Sequence, residues 1–178
     1  MNYQTISEIY AANDQIREKL KETVGNLSDE QINALPDGEK WTIKEFVEHI
    51  AIVDGGITQI SAKLLNEAKE SGKTADGAAK FSDDFAERLA ARRDSKFEAP
   101  ERVKPTGTKS IAESLAKMEE TRKSLEDLKP LFESVECADV KFPHPAFGDL
   151  SAHEWLALKG GHEIRHVKQI ENVLGKIG

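Results

Sequence analysis

The chain has a single cysteine, Cys137, among 178 residues, so no internal disulfide can form and its stability has to come from a packed core. That usage suits a reducing compartment. Cys137 also lacks an adjacent histidine or basic cluster to lower its pKa, so it reads as an ordinary free thiol. No apolar run approaches the roughly 20 residues of a membrane-spanning helix, and the opening Met1-Asn2-Tyr3-Gln4-Thr5 lacks the basic and apolar regions of a secretion signal. A cytoplasmic protein without a membrane partner is expected. Excess positive charge is missing too, with 25 Lys and Arg against 32 Asp and Glu, a formal net charge of -7. The basic residues are spread among acidic neighbours, which excludes the clustered cationic face that nucleic-acid phosphates require. No like-charge run marks a tail, no strand pattern competes with the helical one, and no repeat or domain boundary is visible. Residues 1–178 are therefore expected to form one domain, long enough to bury roughly 70% of its unfolded surface.

What is present is helical. Thr5-x-x-Glu8, Ser28-x-x-Gln31, Thr42-x-x-Glu45, Ser110-x-x-Glu113 and Ser151-x-x-Glu154 are five capping boxes, in which each side chain closes on backbone N–H groups left over at a helix start. Long apolar stripes follow four of them. The first carries Ile6, Ile9, Ile16, Leu20 and Val24; the second Ile43, Phe46, Val47, Ile50, Val53, Ile57 and Leu64. A third runs from Ser110 through Ile111, Leu115, Met118, Leu125 and Leu128, with Pro130 expected to end it or to start a short continuation. The last begins near Ser151 and runs towards Leu174. Residues 81–93 suggest a shorter helix, while 71–74 and 98–107, the latter with Pro100 and Pro105, are connections. The expected fold is an all-α four-helix bundle with a long crossover and extra short helices.

Histidine is scarce, but its placement is informative. His162 and His166, in His162-Glu163-Ile164-Arg165-His166, stand one turn apart on the helical face that also carries Trp155, Leu158, Gln169 and Val173. Buried imidazoles need partners, and one metal ion would satisfy both. The five residues match the H-E-x-x-H pattern of zinc peptidases, in which the glutamate is the general base and a third ligand follows downstream. Only twelve residues follow His166; they contain no histidine, and Glu171 comes too soon. The third ligand is therefore sought upstream, at His49, on the edge of the second apolar stripe. Gly55, Gly56, Gly160 and Gly161 leave space for a ligand or a close helix neighbour. Asp54, near the centre of that stripe, either orients a ligand histidine or bonds a neighbouring helix. His153 points the opposite way from His162 and fits the helix start, while His144 sits in a loop that can reach the bundle mouth and contact a substrate.

Trp41-Thr42-Ile43-Lys44-Glu45 leading to His49, then His144-Pro145-Ala146-Phe147-Gly148 opening a last helix with His162, His166 and Gln169, resembles the DinB/YfiT-like superfamily in order and spacing. The resemblance covers most of the chain. It implies a four-helix bundle, often a homodimer, with a divalent metal on His49, His162 and His166, and a small molecule as substrate. It further implies a metal-dependent enzyme, either a transferase or isomerase using a low-molecular-weight thiol or a hydrolase. A non-catalytic metal-binding or interaction bundle is the competing class. Three neutral imidazoles leave the metal's double charge uncompensated and a position open, where water would become hydroxide or a thiol a thiolate. Imidazole ligands suit several metals, with zinc or nickel expected. Glu163 and Glu45 are the nearest candidates for a general base; capping accounts for Glu45, and neither is assigned that role.

Overall fold

The computed structural model describes residues 3–92 and 98–177. Four long helices carry the fold: α1 (Ile6–Val24), α3 (Ile43–Glu70), α5 (Ile111–Ser134) and α6 (Ala152–Ile177). Two short ones, α2 (Asp29–Asn33) and α4 (Phe85–Ala91), and a 3-10 turn at Glu101–Val103 lie in the connections. The short helix anticipated over 81–93 is thus α4, and the Arg93 end of that expectation lies outside the described residues. All five capping boxes form. Thr5, Ser28, Thr42 and Ser110 each accept from the backbone three residues on, and Ser151 Oγ accepts from Glu154 N at 3.3 Å while Glu154 returns to Ser151 N at 2.8 Å.

Two expectations need correcting. Pro130 neither ends the third long helix nor starts a separate piece, because α5 passes through it to Ser134. Proline forfeits one N–H donor, but the turn beyond it closes normally, with Val135 N bonding Leu131 O and Ser134 Oγ donating to Pro130 O. There is also a small sheet, where no strand was expected: β1 (Lys141–His144) and β2 (Gly148–Ser151) form an antiparallel hairpin. Four residues are too few for alternation to register in sequence, and the tight return depends on Gly148 at φ 70°. His144 accordingly ends a strand and does not sit in an unstructured loop.

Around the bundle, α6 packs between α1 and α3, and α5 closes the ring on the other side of α3. The crossover makes this order possible, since 40 residues separate α3 from α5. Its first part is pinned at one end of the bundle, where Ile6 N bonds Gly77 O, Ala79 N bonds Gln4 O and Ala75 N bonds Ser134 O. Its second part reaches the other end, where Glu48 accepts from Thr106 Oγ1 at 2.7 Å and Gly107 N at 2.8 Å.

The core has two apolar blocks. One gathers Ile6, Ile9, Leu64, Phe132, Trp155 and Leu156 with the hairpin residue Leu150. The other gathers Leu20, Ile43, Val47, Ile50, Met118 and Val167. Between them along α1, α3 and α6 lie four buried charges: Arg17 binds Glu163 through two N–H groups, at 2.5 and 2.9 Å, and also Asp54, while Lys159 reaches Asp54 at 3.2 Å and Glu163 at 3.3 Å. Two cations balance two carboxylates, which is how such groups are tolerated out of water. Burial, reinforced by neighbouring Glu163, pushes the Asp54 carboxyl upward against the pull of Lys159 and Arg17. Next to this layer α1 and α6 approach so closely that a Cβ on Gly160 would stand 2.2 Å from Asn13 Oδ1.

Candidate metal centre

Three histidines meet at the end of the bundle where the crossover arrives. His49 comes from α3, seven residues past the Thr42 cap, and His162 and His166 from consecutive turns of α6. Helix periodicity turns the α6 pair to one side, and the packing of α3 on α6 turns His49 towards them. His49 and His166 are buried, whereas His162 is partly open. The Nε2 atoms of His49 and His166 each lie 3.1 Å from Nε2 of His162. All three residues offer ligand nitrogens within 4.8 Å of one another. For comparison, zinc–imidazole bonds of about 2.0–2.1 Å in a tetrahedron place their nitrogens roughly 3.3 Å apart.

The protons decide whether such a cluster suits a cation. His49 Nδ1 lies 2.7 Å from the carbonyl oxygen of Val103, which can only accept, so Nδ1 carries the proton and Nε2 of the neutral ring is a bare lone pair. Arg165 Nη2, 3.3 Å from His166 Nε2, can only donate, which makes that nitrogen a second bare lone pair. One N–H on His162 would then have to serve both, while Nδ1 of His162 and Nδ1 of His166 remain buried without a hydrogen-bond partner. Protonating a ring is no remedy. Burial lowers the pKa of His49; burial and the two neighbouring imidazoles hold His162 well below the ordinary value; and burial with Arg165 pushes His166 down to about 2. Three neutral rings aimed at one point satisfy a cation better than they satisfy one another.

The surroundings hold the rings in place. Trp41, immediately before the α3 cap, packs its ring 4.8 Å from His49 and 6.4 Å from His166, and Phe46 lies 5.7 Å from His166. Gln169, one turn beyond His166, favours its charged form as a neighbour, although His166 Nδ1 and Gln169 Oε1 stop short of a hydrogen bond in this rotamer. A hydrogen bond from His166 Nδ1 to Gln169 Oε1 would fix the tautomer that leaves Nε2 free, as the Val103 carbonyl does for His49. The cluster opens on a cleft bordered by Gly55, Gly56, Phe142, His144 and Trp155. A Cβ on Gly55 or Gly56 would meet nothing within 4 Å, so those two glycines border open space. Gly160 does the other thing anticipated for a glycine here and admits a close neighbour.

Other sequence candidates fall elsewhere. Glu163 belongs to the buried charge layer, held by Arg17 and Lys159, and faces away from the histidines. Asp54 is in the same layer, which settles its two readings in favour of bonding between helices. Glu45 caps α3, with Thr42 N and Oγ1 each at 2.8 Å. His153 bridges two backbone groups, Lys80 N and Phe132 O, and is structural. His144 reaches the cleft: its Nδ1 accepts from Ala146 N at 3.0 Å, and its ring lies tilted against Trp155, 5.1 Å between centroids. Buried Cys137, its thiol pushed up to about 11 by burial, is no nucleophile. Three contributors escaped the sequence reading: the Val103 carbonyl, which carries no side-chain signature; Trp41 as a wall of the site; and Arg165.

This architecture and this cluster can be set beside known proteins. The sequence model of the DinB superfamily matches residues 12–170. The chain belongs to the DinB superfamily. The matched span takes in all three histidines and the four long helices except the first residues of α1 and the last of α6. A relative, the uncharacterized protein YuaE of Bacillus subtilis (strain 168), is 29% identical over 157 residues, covering 85% of this chain and 88% of that protein. The DinB assignment agrees with the all-α bundle and with a three-histidine group able to hold a metal ion. Among the described residues no helix is long and apolar enough to cross a membrane.

Proposed function

We propose that this DinB-superfamily protein binds one divalent metal ion through His49, His162 and His166 and uses it in a transfer reaction between a low-molecular-weight thiol and a small electrophile. The observation that carries the metal reading is the convergence of three neutral Nε2 atoms, with His49 locked in the ligating tautomer by the Val103 carbonyl. Zinc or nickel suits an all-imidazole set. A bound divalent cation would supply Lewis acidity at a position facing the cleft, lowering the pKa of a thiol or water held there.

The chain's own residues favour a thiol over water. No carboxylate base stands free beside the histidines, since Glu163, Glu45 and Glu48 are all engaged elsewhere by hydrogen bonds. A free thiol, with a pKa of about 8.5 against about 15.7 for water, would ionise on the ion more readily without such a base. Trp41 and Phe46 keep the His49 and His166 rings in place, and Trp155 with Phe142 offers an apolar wall for a substrate. Absence of substrate turnover alongside metal binding would leave a metal-binding bundle without catalysis. The reading is tested by incubating zinc- or nickel-loaded protein with a small thiol and an electrophile such as an alkyl halide or epoxide. Thioether formation abolished by His166→Ala supports the transferase. Ester hydrolysis without thiol, lost in the same variant, would replace it with the hydrolase. The homodimer and small-molecule partner expected of the family belong to this proposal, as does a cytoplasmic setting.

A further inference from the structure

Arg165 differs from the ion-paired arginines of this protein. Arg17, Arg88 and Arg122 each have a carboxylate within ion-pair distance. Arg165 is half-buried, borders the cleft, and pairs with no carboxylate among the described residues. Its polar contact is His166 Nε2 at 3.3 Å.

That contact is incompatible with a metal on the same nitrogen. His166 Nε2 has one in-plane lone pair, so an ion bound there removes the acceptor of the Arg165 guanidinium and repels its charge. The carboxylates around the site are committed: Glu163 to Arg17 and Lys159, Glu48 to Thr106 and Gly107, Glu45 to the α3 cap. Three neutral imidazoles do not offset a double positive charge either. A partly buried cation without a counter-charge is costly, and an anionic guest removes the cost. Building on the metal reading above, we propose that Arg165 forms an anion-binding position beside the three histidines, selecting guests that carry a carboxylate together with a donor for the metal. A carboxylate matches the planar fork of a single guanidinium in geometry and in charge.

The test titrates protein with 3-mercaptopropionate and with its neutral counterpart 3-mercaptopropanamide, followed by calorimetry, on zinc-loaded wild type, zinc-loaded Arg165→Gln and Arg165→Lys, and metal-free wild type. Zinc uptake is scored first by equilibrium dialysis. Zinc-loaded wild type is expected to prefer the carboxylate about tenfold or more, the range of a charge-assisted pair. Arg165→Gln should bring the ratio close to one while leaving amide affinity unchanged, and Arg165→Lys should keep part of it, since the charge stays and the fork is lost. Equal affinity of zinc-loaded wild type for the two probes overturns the anion position and leaves the metal reading intact, as does a preference that survives in Arg165→Gln. A preference in metal-free wild type that takes up no zinc would overturn the metal reading and keep the anion position. Neither uptake nor preference overturns both.

Discussion

Replacing His162 by alanine should separate the metal site from the fold. His162 borders the cleft, so the substitution opens no closed cavity, and the only hydrogen-bond partners of its Nε2 are the two histidines that face it. In metal-free protein the change is expected to fall within about 0.5 kcal/mol, the range of substitutions away from the core. With zinc it should differ sharply. At a free concentration one hundred times Kd, wild type gains about 2.7 kcal/mol, which for a chain of this size is a rise of roughly 5–10 °C in Tm. Loss of a supporting contact around a metal already costs about 10–100-fold in affinity, so loss of a ligand costs at least about 100-fold. The same zinc concentration then only equals Kd, and the gain shrinks to RT ln 2, about 0.4 kcal/mol. Thermal denaturation of both proteins with and without zinc, followed by circular dichroism at 222 nm, measures all four values. An equal zinc-induced rise in both proteins, or no rise in wild type with zinc or nickel, refutes the reasoning.

Other outcomes follow from the same structure. Burial depresses the pKa of all five histidines, with His144 at about 4 and His166 at about 2. The unfolded chain, at about 6.5 per histidine, therefore takes up protons first. Metal-free stability is full above about pH 6.5 and falls as pH drops towards the folded values, by up to about 1.4 kcal/mol per pH unit per histidine. Urea denaturation at pH 7.5, 6.5 and 5.5 should show that decline, and a His162→Gln, His166→Gln double variant should make it shallower, with His49, His144 and His153 supplying what remains. Arg17→Met leaves Asp54 and Glu163 buried with only Lys159, and is expected to cost about 3–5 kcal/mol in chemical denaturation. Gly160→Ala drives a methyl against Asn13 and should cost about 1–3 kcal/mol, whereas Gly55→Ala meets open space and should gain up to about 1 kcal/mol in the same assay.

The helices and two of the three ligating residues were readable because their signals are local. A capping box spans four residues, and His162 and His166 lie one turn apart, so neither depends on how the chain returns on itself. His49 was within reach only because the apolar stripe of α3 shows which side of that helix is inward. What sequence could not supply depends on long-range return. Asp54 and Glu163 read as candidates for the site because nothing local reveals that Arg17, from a different helix, claims both. Val103 contributes a backbone carbonyl, which no residue type announces, and it reaches His49 only because the crossover doubles back over α3. The hairpin at 141–151 was missed for a different reason: two four-residue strands held by a glycine turn and by packing against α3 carry too little pattern of their own. Pro130 shows the reverse error, where a strong local rule was overridden by a helix anchored on both sides, through Leu125 and Phe132, in the core.

The most direct test of the central claim is the metal content of protein purified without an affinity tag, measured by plasma mass spectrometry on wild type and His49→Ala after dialysis against zinc or nickel and then against buffer. Close to one ion per wild-type chain, falling to near zero in the variant, is the predicted result. A wild type that retains neither metal, or a variant that retains as much as wild type, would contradict it.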